Sequence, residues 1–540
     1  MKLKYWAMSL LACGGMLACT NEDNMTGENN GQGEGTEVSY LAVNIMNAGG
    51  PMTRADDYVD GSDAENQVTK VRFYFFDNNG NACTVSGASN NFKDVTPTMN
   101  SEDPANDNIE EISDVVLVLD NVKGTIPYSM VAIVNPPTTL TGNKTLNELK
   151  TAADYSSFTT AGNFVMSNSV YADGGNKICE TIIGPYLQKT QDAAKDAPVN
   201  VYVERVLAKV TVTLTGTDNG TTDSYCVAGT SGGDDAIYAK VVGWQVADYR
   251  NQSYLLKSID PSWNNTTLGI NPWSSADYHR SFWATSTGTV DNSYSWTEIN
   301  TPVGTGVVYT QENTPTTTVT DTKNNELTKV IVAVQLVDKD GTAVPRYLYL
   351  GGEYASAEAI LNAIAPNFSD YYIKTGDNQY TPISASELQF VKGSDVSGDS
   401  YRAYPQLKAS FDSAIEGEKS NLYTESAGTY TKVLDNDDVN ELLKAYSAQI
   451  WTEGRCYYYT TIPHLATSGV GQYGVVRNHV YQITISDISG FGTPVYDPTP
   501  SEPSDDEDID PETPTDDASY LAAKVNILAW RIVSKEVTLN

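Results

Sequence analysis

Lys329-Val330-Ile331-Val332-Ala333-Val334-Gln335-Leu336-Val337 runs into Asp338-Lys339-Asp340-Gly341, and residues 344–350 then resume the same chemistry. β-Branched residues dominate the first run, and Asp-Gly between two such runs predicts a β-hairpin. The same vocabulary recurs outward from it. Val71-Arg72-Phe73-Tyr74-Phe75-Phe76 ends in the turn signal Asp77-Asn78-Asn79-Gly80. Residues 39–46 alternate, with Leu41, Val43 and Ile45 on one side and Tyr40, Ala42, Asn44 and Met46 on the other. Strand candidates follow at 115–119, 128–134, 199–214 and 240–247, and 456–462 with 479–485 reads as a further pair. Helical patterns are few and short, at 146–153, 355–365 and 439–448. With 34 tyrosines among 540 residues and abundant Thr, Val, Asn and Gly, the chain is predicted to be mainly all-β. Antiparallel sheets stacked as sandwiches are expected, with short helices as additions.

The first nineteen residues read as a targeting segment. Lys2 and Lys4 precede an apolar run from 5 to 18, fourteen residues and therefore shorter than the roughly 20 a spanning helix needs. The run ends in Met16-Leu17-Ala18-Cys19, followed by polar Thr20-Asn21-Glu22-Asp23. Small residues before a cysteine at this place resemble the bacterial lipobox, which makes Cys19 the acylated first residue after cleavage. Leu10-Leu11-Ala12-Cys13 also fits, but would halve the apolar region. No other stretch is long and apolar enough to span a membrane.

About 520 residues remain, enough for two or three domains with real cores. The net charge of −34 gives a pI near 4.3, and such a field repels nucleic acid and anionic headgroups. Cys83, Cys179, Cys226 and Cys456 are far apart, without CxxC pairs or histidines at ligand spacing, so no metal site is expected. Export permits disulfides among them, and both pairing and redox state stay open.

Composition marks the boundaries. Residues 20–54 form a Gly/Asn/Glu-rich tether with a first strand. Residues 55–220 and 236–498 are the expected N- and C-terminal domains, joined through the Gly/Asp/Thr-rich 216–235. Residues 499–517 are Pro-rich with nine acidic and no basic residues, which predicts an extended linker. Strand chemistry returns at 518–540: Leu521, Ala523, Val525, Ile527 and Ala529 alternate, and Trp530 follows. A strand on an acidic leash has two readings, a last strand folding back on its own sheet or one offered to a neighbour's open edge.

Catalytic chemistry is poorly represented. Gly229-Thr230-Ser231-Gly232-Gly233 matches GxSxG, but lies in a polar loop rather than between a buried strand and a helix. His279, His464 and His479 are scattered, and no phosphate-binding glycine motif precedes a helix. Neither catalytic residues nor a cofactor are expected. Trp263, Trp273, Trp283 and Trp296 offer either a sugar-stacking platform or core.

Several segments in order resemble the fimbrillins, the major subunits of short, type V fimbriae of Bacteroidetes-type bacteria. They are the lipoprotein signal, Thr53-Arg54-Ala55-Asp56, residues 68–76, Tyr128-Ser129-Met130-Val131-Ala132-Ile133-Val134-Asn135 and Phe164-Val165-Met166-Ser167. Val203-Glu204-Arg205-Val206-Leu207-Ala208-Lys209-Val210 follows, then 241–244 with Ser253-Tyr254-Leu255, and Tyr309-Thr310-Gln311-Glu312-Asn313-Thr314. Arg477-Asn478-His479-Val480-Tyr481-Gln482-Ile483, the acidic linker and 525–530 complete the set.

The resemblance implies two transthyretin-like β-sandwich domains and a non-enzymatic stalk subunit serving adhesion. It implies an outer-membrane lipoprotein precursor, carrying palmitate at Cys19, that passes into an extracellular fimbria linked to virulence. In that scheme an arginine-specific protease cuts between Arg54 and Ala55. The first strand, with Leu41, Val43 and Ile45, is displaced from a groove in the N-terminal domain, where it lies in the uncut precursor. The donor strand of another copy, here Val525, Ile527, Ala529 and Trp530, takes its place. Partners are then other copies, other fimbrial subunits, the protease and the membrane; the receptor is left open. Arg54 is the first basic residue after Lys4, among turn-forming Gly49-Gly50-Pro51 and acidic Asp56-Asp57, as an accessible cut requires. An accessory or tip adhesin and a monomeric glycan-binding surface lipoprotein are the alternatives.

Overall fold

The computed structural model describes residues 37–48, 61–85, 90–100, 109–121, 127–153, 159–160, 163–172, 178–218, 222–276, 279–291, 294–322, 324, 326–408, 422–433, 435–498, 508–509, 520–528 and 533–536. Strands dominate it, in several mostly antiparallel sheets with a few short helices, and none of the sheets closes into a barrel. Cys19, Arg54, Ala55, Ala529 and Trp530 lie outside the described residues.

The first body is one nine-stranded sheet. Its strands are β1 (Glu37–Ala48), β2 (Val71–Phe76), β3 (Phe92–Val95), β4 (Thr98–Asn100), β5 (Ile109–Asn121), β6 (Ser129–Val134), β7 (Met166–Asn168), β8 (Thr181–Ile182) and β9 (Val199–Arg205). They run in the order β3-β2-β6-β7-β9-β1-β5-β4, with β8 on β6. Side chains alternate across a strand, so β2 feeds two cores. Val71, Phe73 and Phe75 join Met130, Ala132, Val134, Val199, Val201 and Val203. Tyr74 and Phe76 join Val131, Ile133 and Leu149 on the other face. The turn after β2 forms as expected: the Asp77 carboxylate accepts from Asn79 N and Asn81 N, and Gly80 takes φ +77°.

The second body has two five-stranded sheets. One contains β10 (Ala208–Leu214), β13 (Val307–Thr310), β16 (Val480–Ser489), β18 (Tyr520–Leu528) and β19 (Val533–Glu536), in the order β13-β10-β16-β18-β19. The other contains β11 (Ser224–Ala228), β12 (Ile237–Ala247), β14 (Lys329–Val337), β15 (Arg455–Thr461) and β17 (Thr493–Pro494), in the order β11-β12-β14-β15-β17. Val210, Val212, Tyr481, Ile483 and Ile485 of the first share one cluster with Val241, Trp244, Val332, Val334 and Tyr458 of the second.

Three local expectations change. Composition suggested the connection at 216–235, but β10 already pairs with β13 and β16, so the chain crosses between bodies at buried Val206 and Leu207. The Asp338 turn forms, with Gly341 at φ +83°, yet ladder contact ends near Val344. Pro345 has no N–H to continue it. Strand Arg346–Tyr349 instead pairs with Gln449–Trp451, opening an inserted lobe. That lobe has its own core of Ile360, Ile364, Phe390, Leu422 and Leu443. Finally, the 456–462 and 479–485 runs do not pair with each other: β15 and β16 belong to the two different sheets.

Candidate functional site

β1 lies inside the first sheet rather than at its edge. It runs antiparallel to β5, with Ser39, Leu41 and Val43 opposite Leu119, Leu117 and Val115. It runs parallel to β9, with Val43, Ile45 and Asn47 opposite Val199, Val201 and Val203. These six neighbours on β5 and β9 are all buried, none more than 6% exposed. A parallel pair cannot come from a tight turn and needs a long connection, so nothing local in the sequence ties β1 to β9. Without β1 the sheet would have two facing edges with unpaired main-chain groups, a template for another strand.

The terminal strand β18 pairs antiparallel with β16 of its own second body, with Val525 opposite Ile483 and Ile527 opposite Tyr481. β19 returns along its outer side. Of the two readings of the terminal strand, the chain as described takes the fold-back.

Between the bodies lies a buried polar joint. Helix α1 (Asp63–Asn66) begins at Ser62, whose N–H donates to Glu65 at 2.7 Å. Glu65, 1% exposed, also accepts from Tyr309 OH at 2.7 Å and lies 2.8 Å from Lys209 Nζ. Burial pushes its carboxyl up, but the hydrogen bonds from Lys209, Ser62 and Tyr309 outweigh that and hold it at about 2. Arg205 Nε donates to Glu65 O at 3.1 Å. Lys257 pairs with Glu204 at 3.1 Å, and Arg477 with Glu312 at 2.7 Å, all four side chains buried. Arg477 further donates to Tyr254 O and Leu255 O.

This joint explains four segments that had stood only as resemblance. Glu204, Arg205 and Lys209 come from the first, Ser253-Tyr254-Leu255 from the second, Tyr309 and Glu312 from the third, and Arg477 from the fourth. Sequence reasoning did not assign Glu65, Lys257 or the pairing. The available signal was charge inside apolar runs, since such charges are rarely buried unless paired.

The tryptophans do not form a platform. Trp283 is buried, Trp263 and Trp273 pack edge to face at 5.8 Å, and Trp296 Nε1 donates to Cys456 O at 3.0 Å. The GxSxG residues connect β11 to β12 as a hairpin, so no helix follows the serine. Cys83, Cys179, Cys226 and Cys456 are free thiols. Among the described residues, no group of three His, Cys, Asp or Glu could hold a metal, and no helix is long and apolar enough to cross a membrane.

Comparison with known proteins bears on the two ends of the chain. No curated protein matches it. Among solved structures, a candidate cell adhesion protein of Bacteroides eggerthii is 10% identical over 94% of this chain and 98% of that one, with a TM-score of 0.35. Two from Parabacteroides distasonis are 12% and 10% identical, over 90% and 91% of this chain and 96% and 99% of theirs, with TM-scores of 0.32 and 0.34. Residues 39–205, which run from β1 to β9, match the family described as major fimbrial subunit protein (FimA). Residues 449–536, from β15 through β19, match major fimbrial subunit protein type IV, fimbrillin, C-terminal. The chain thus matches family models of major fimbrial subunits at both ends, in the order the resemblance implied.

Proposed function

We propose that the chain is a structural, non-enzymatic stalk subunit of a cell-surface fimbria, assembled by protease-triggered strand exchange and serving adhesion. The observation that carries the proposal is the position of β1. It sits mid-sheet between β5 and β9, and only residues 49–60, with Arg54 among them, join it to the rest of the chain. A cut between Arg54 and Ala55 leaves β1 held by non-covalent contacts alone. Its loss opens a slot flanked by Val115, Leu117, Val199 and Val201. The terminal strand, whose Val525 and Ile527 pair here with β16 and which Ala529 and Trp530 follow in sequence, is the natural occupant from another copy, because main-chain pairing plus alternate apolar side chains is what such a slot reads. Cys19 acylation would hold the precursor at the outer membrane until assembly. Two transthyretin-like sandwich domains are the framework of this reading.

The test mixes the chain, without its first nineteen residues, with a trace of arginine-specific protease and follows size on unboiled gels and by electron microscopy. A cut after Arg54 with a ladder of heat-labile polymers, lost on deleting 519–540, supports stalk assembly. A cut yielding only monomers indicates a tip or capping subunit. No cut leaves the anchored glycan-binding reading.

A further inference from the structure

We infer that the buried polar joint locks the two bodies at one fixed angle, with Glu65 as the residue that closes it. The inference deepens the stalk reading, because that angle relates the slot of β1 in the first body to the terminal strand in the second. Bodies joined by a short link and ordinary apolar contact are expected to move relative to each other. Here the contacts are directional. Residues 253–257 thread between the bodies: Leu255 N donates to Ala152 O at 2.9 Å, and Ser167 Oγ donates to Leu255 O at 2.7 Å. Cys179 Sγ donates to Lys257 O at 3.3 Å, and the Tyr202 ring stacks on His279 at 3.4 Å.

Glu65 differs from these contacts in its reach. From α1 in the first body it gathers Lys209 of β10 and Tyr309 of β13, two adjacent strands of the second, and the Tyr309 ring packs edge-on against Phe164. Its backbone carbonyl holds Arg205 at the end of β9. One short helix thus grips the chain on both sides of the Val206-Leu207 crossing. A buried ion pair is weak evidence for stability, but its geometry admits few orientations, so its contribution is to specificity of arrangement. α1 also follows Arg54 in the sequence, so it stays with the body when β1 leaves.

The experiment uses the full uncut chain without the signal, in a Cys226→Ser background, with spin labels at Asn147→Cys on the first body and Val242→Cys on the second, both exposed. Pulsed electron resonance should give one narrow distance for Glu65 and a clearly broadened distribution for Glu65→Ala. Glu65→Gln, which keeps the shape and loses the charge, should fall between. If Glu65→Ala fails to fold, the paired Glu65→Leu/Lys209→Met variant removes the directional contact while keeping the site filled, and should broaden likewise. A distribution as narrow as the parent's in a folded variant overturns the inference. Because no cleavage is involved, that failure is independent of strand exchange, which the unboiled-gel ladder tests separately.

Discussion

Removing β1 from the cut chain should cost the first body most of its stability, and a strand peptide should restore it. Val115, Leu117, Leu119, Val199, Val201 and Val203 flank β1, and each is at most 6% exposed. Fully exposing such a side chain costs about 1.5–3 kcal/mol, so uncovering one flank costs on the order of 1 kcal/mol. Six flanks give about 6 kcal/mol, comparable with the roughly 5–15 kcal/mol that holds a whole domain together. The lost ladder adds less, because freed main-chain groups pair with water instead. The assay is calorimetry on chain cut at Arg54 and freed of 37–48, with and without a synthetic peptide of 520–528. The first body's transition should fall sharply or vanish. Peptide at about a hundred times its Kd should return about 3 kcal/mol. A cut chain that melts like the uncut one and takes up no peptide would refute the slot.

Three further outcomes follow from particular residues. Arg54→Ala should leave the precursor uncut and unpolymerised, read on the same unboiled gels; polymer formation from this variant would place the trigger elsewhere. Glu312→Ala strands the buried Arg477 charge and should destabilise by about 3–5 kcal/mol in denaturant unfolding, whereas an exposed pair such as Lys444 with Glu441 should change it by less than about 1. Acid should weaken the second body through His479. Burial, then neighbouring His464 and Lys257, hold its imidazole well below the ordinary 6.5, with Arg280 adding to the effect and the hydrogen bond to Arg477 O opposing it. The neutral form is the folded one, so this stability is complete above pH about 6.5 and declines below it, as the unfolded chain takes up a proton the folded chain refuses. The slope is about 1.4 kcal/mol per pH unit for one such group, and His479→Phe should flatten it by that amount. An unchanged slope would mean that His479 does not titrate on unfolding.

The sequence by itself determined the local elements. Runs of β-branched and aromatic residues before turn signals predicted β2 and β14, and their Asp-led turns form with Gly80 and Gly341 in the left-handed region. The short helices were legible too: Thr145 and Glu148 form a capping box at the start of Leu146–Thr151. The resemblance to fimbrillins was readable because the segments that carry it recur in order. Tertiary structure alone decided which strands became neighbours. A period of two tells which side of a strand is apolar, but not what lies beside it, and main-chain hydrogen bonding accepts any partner. So the placement of β1 between β5 and β9, the separation of β15 from β16 into two sheets, and the return of β18 to β16 were not written in any local pattern. The joint was hidden for the same reason. Glu65, Lys209 and Tyr309 span 244 positions of the chain, and their charges and hydroxyl read as ordinary surface until the fold buries them together.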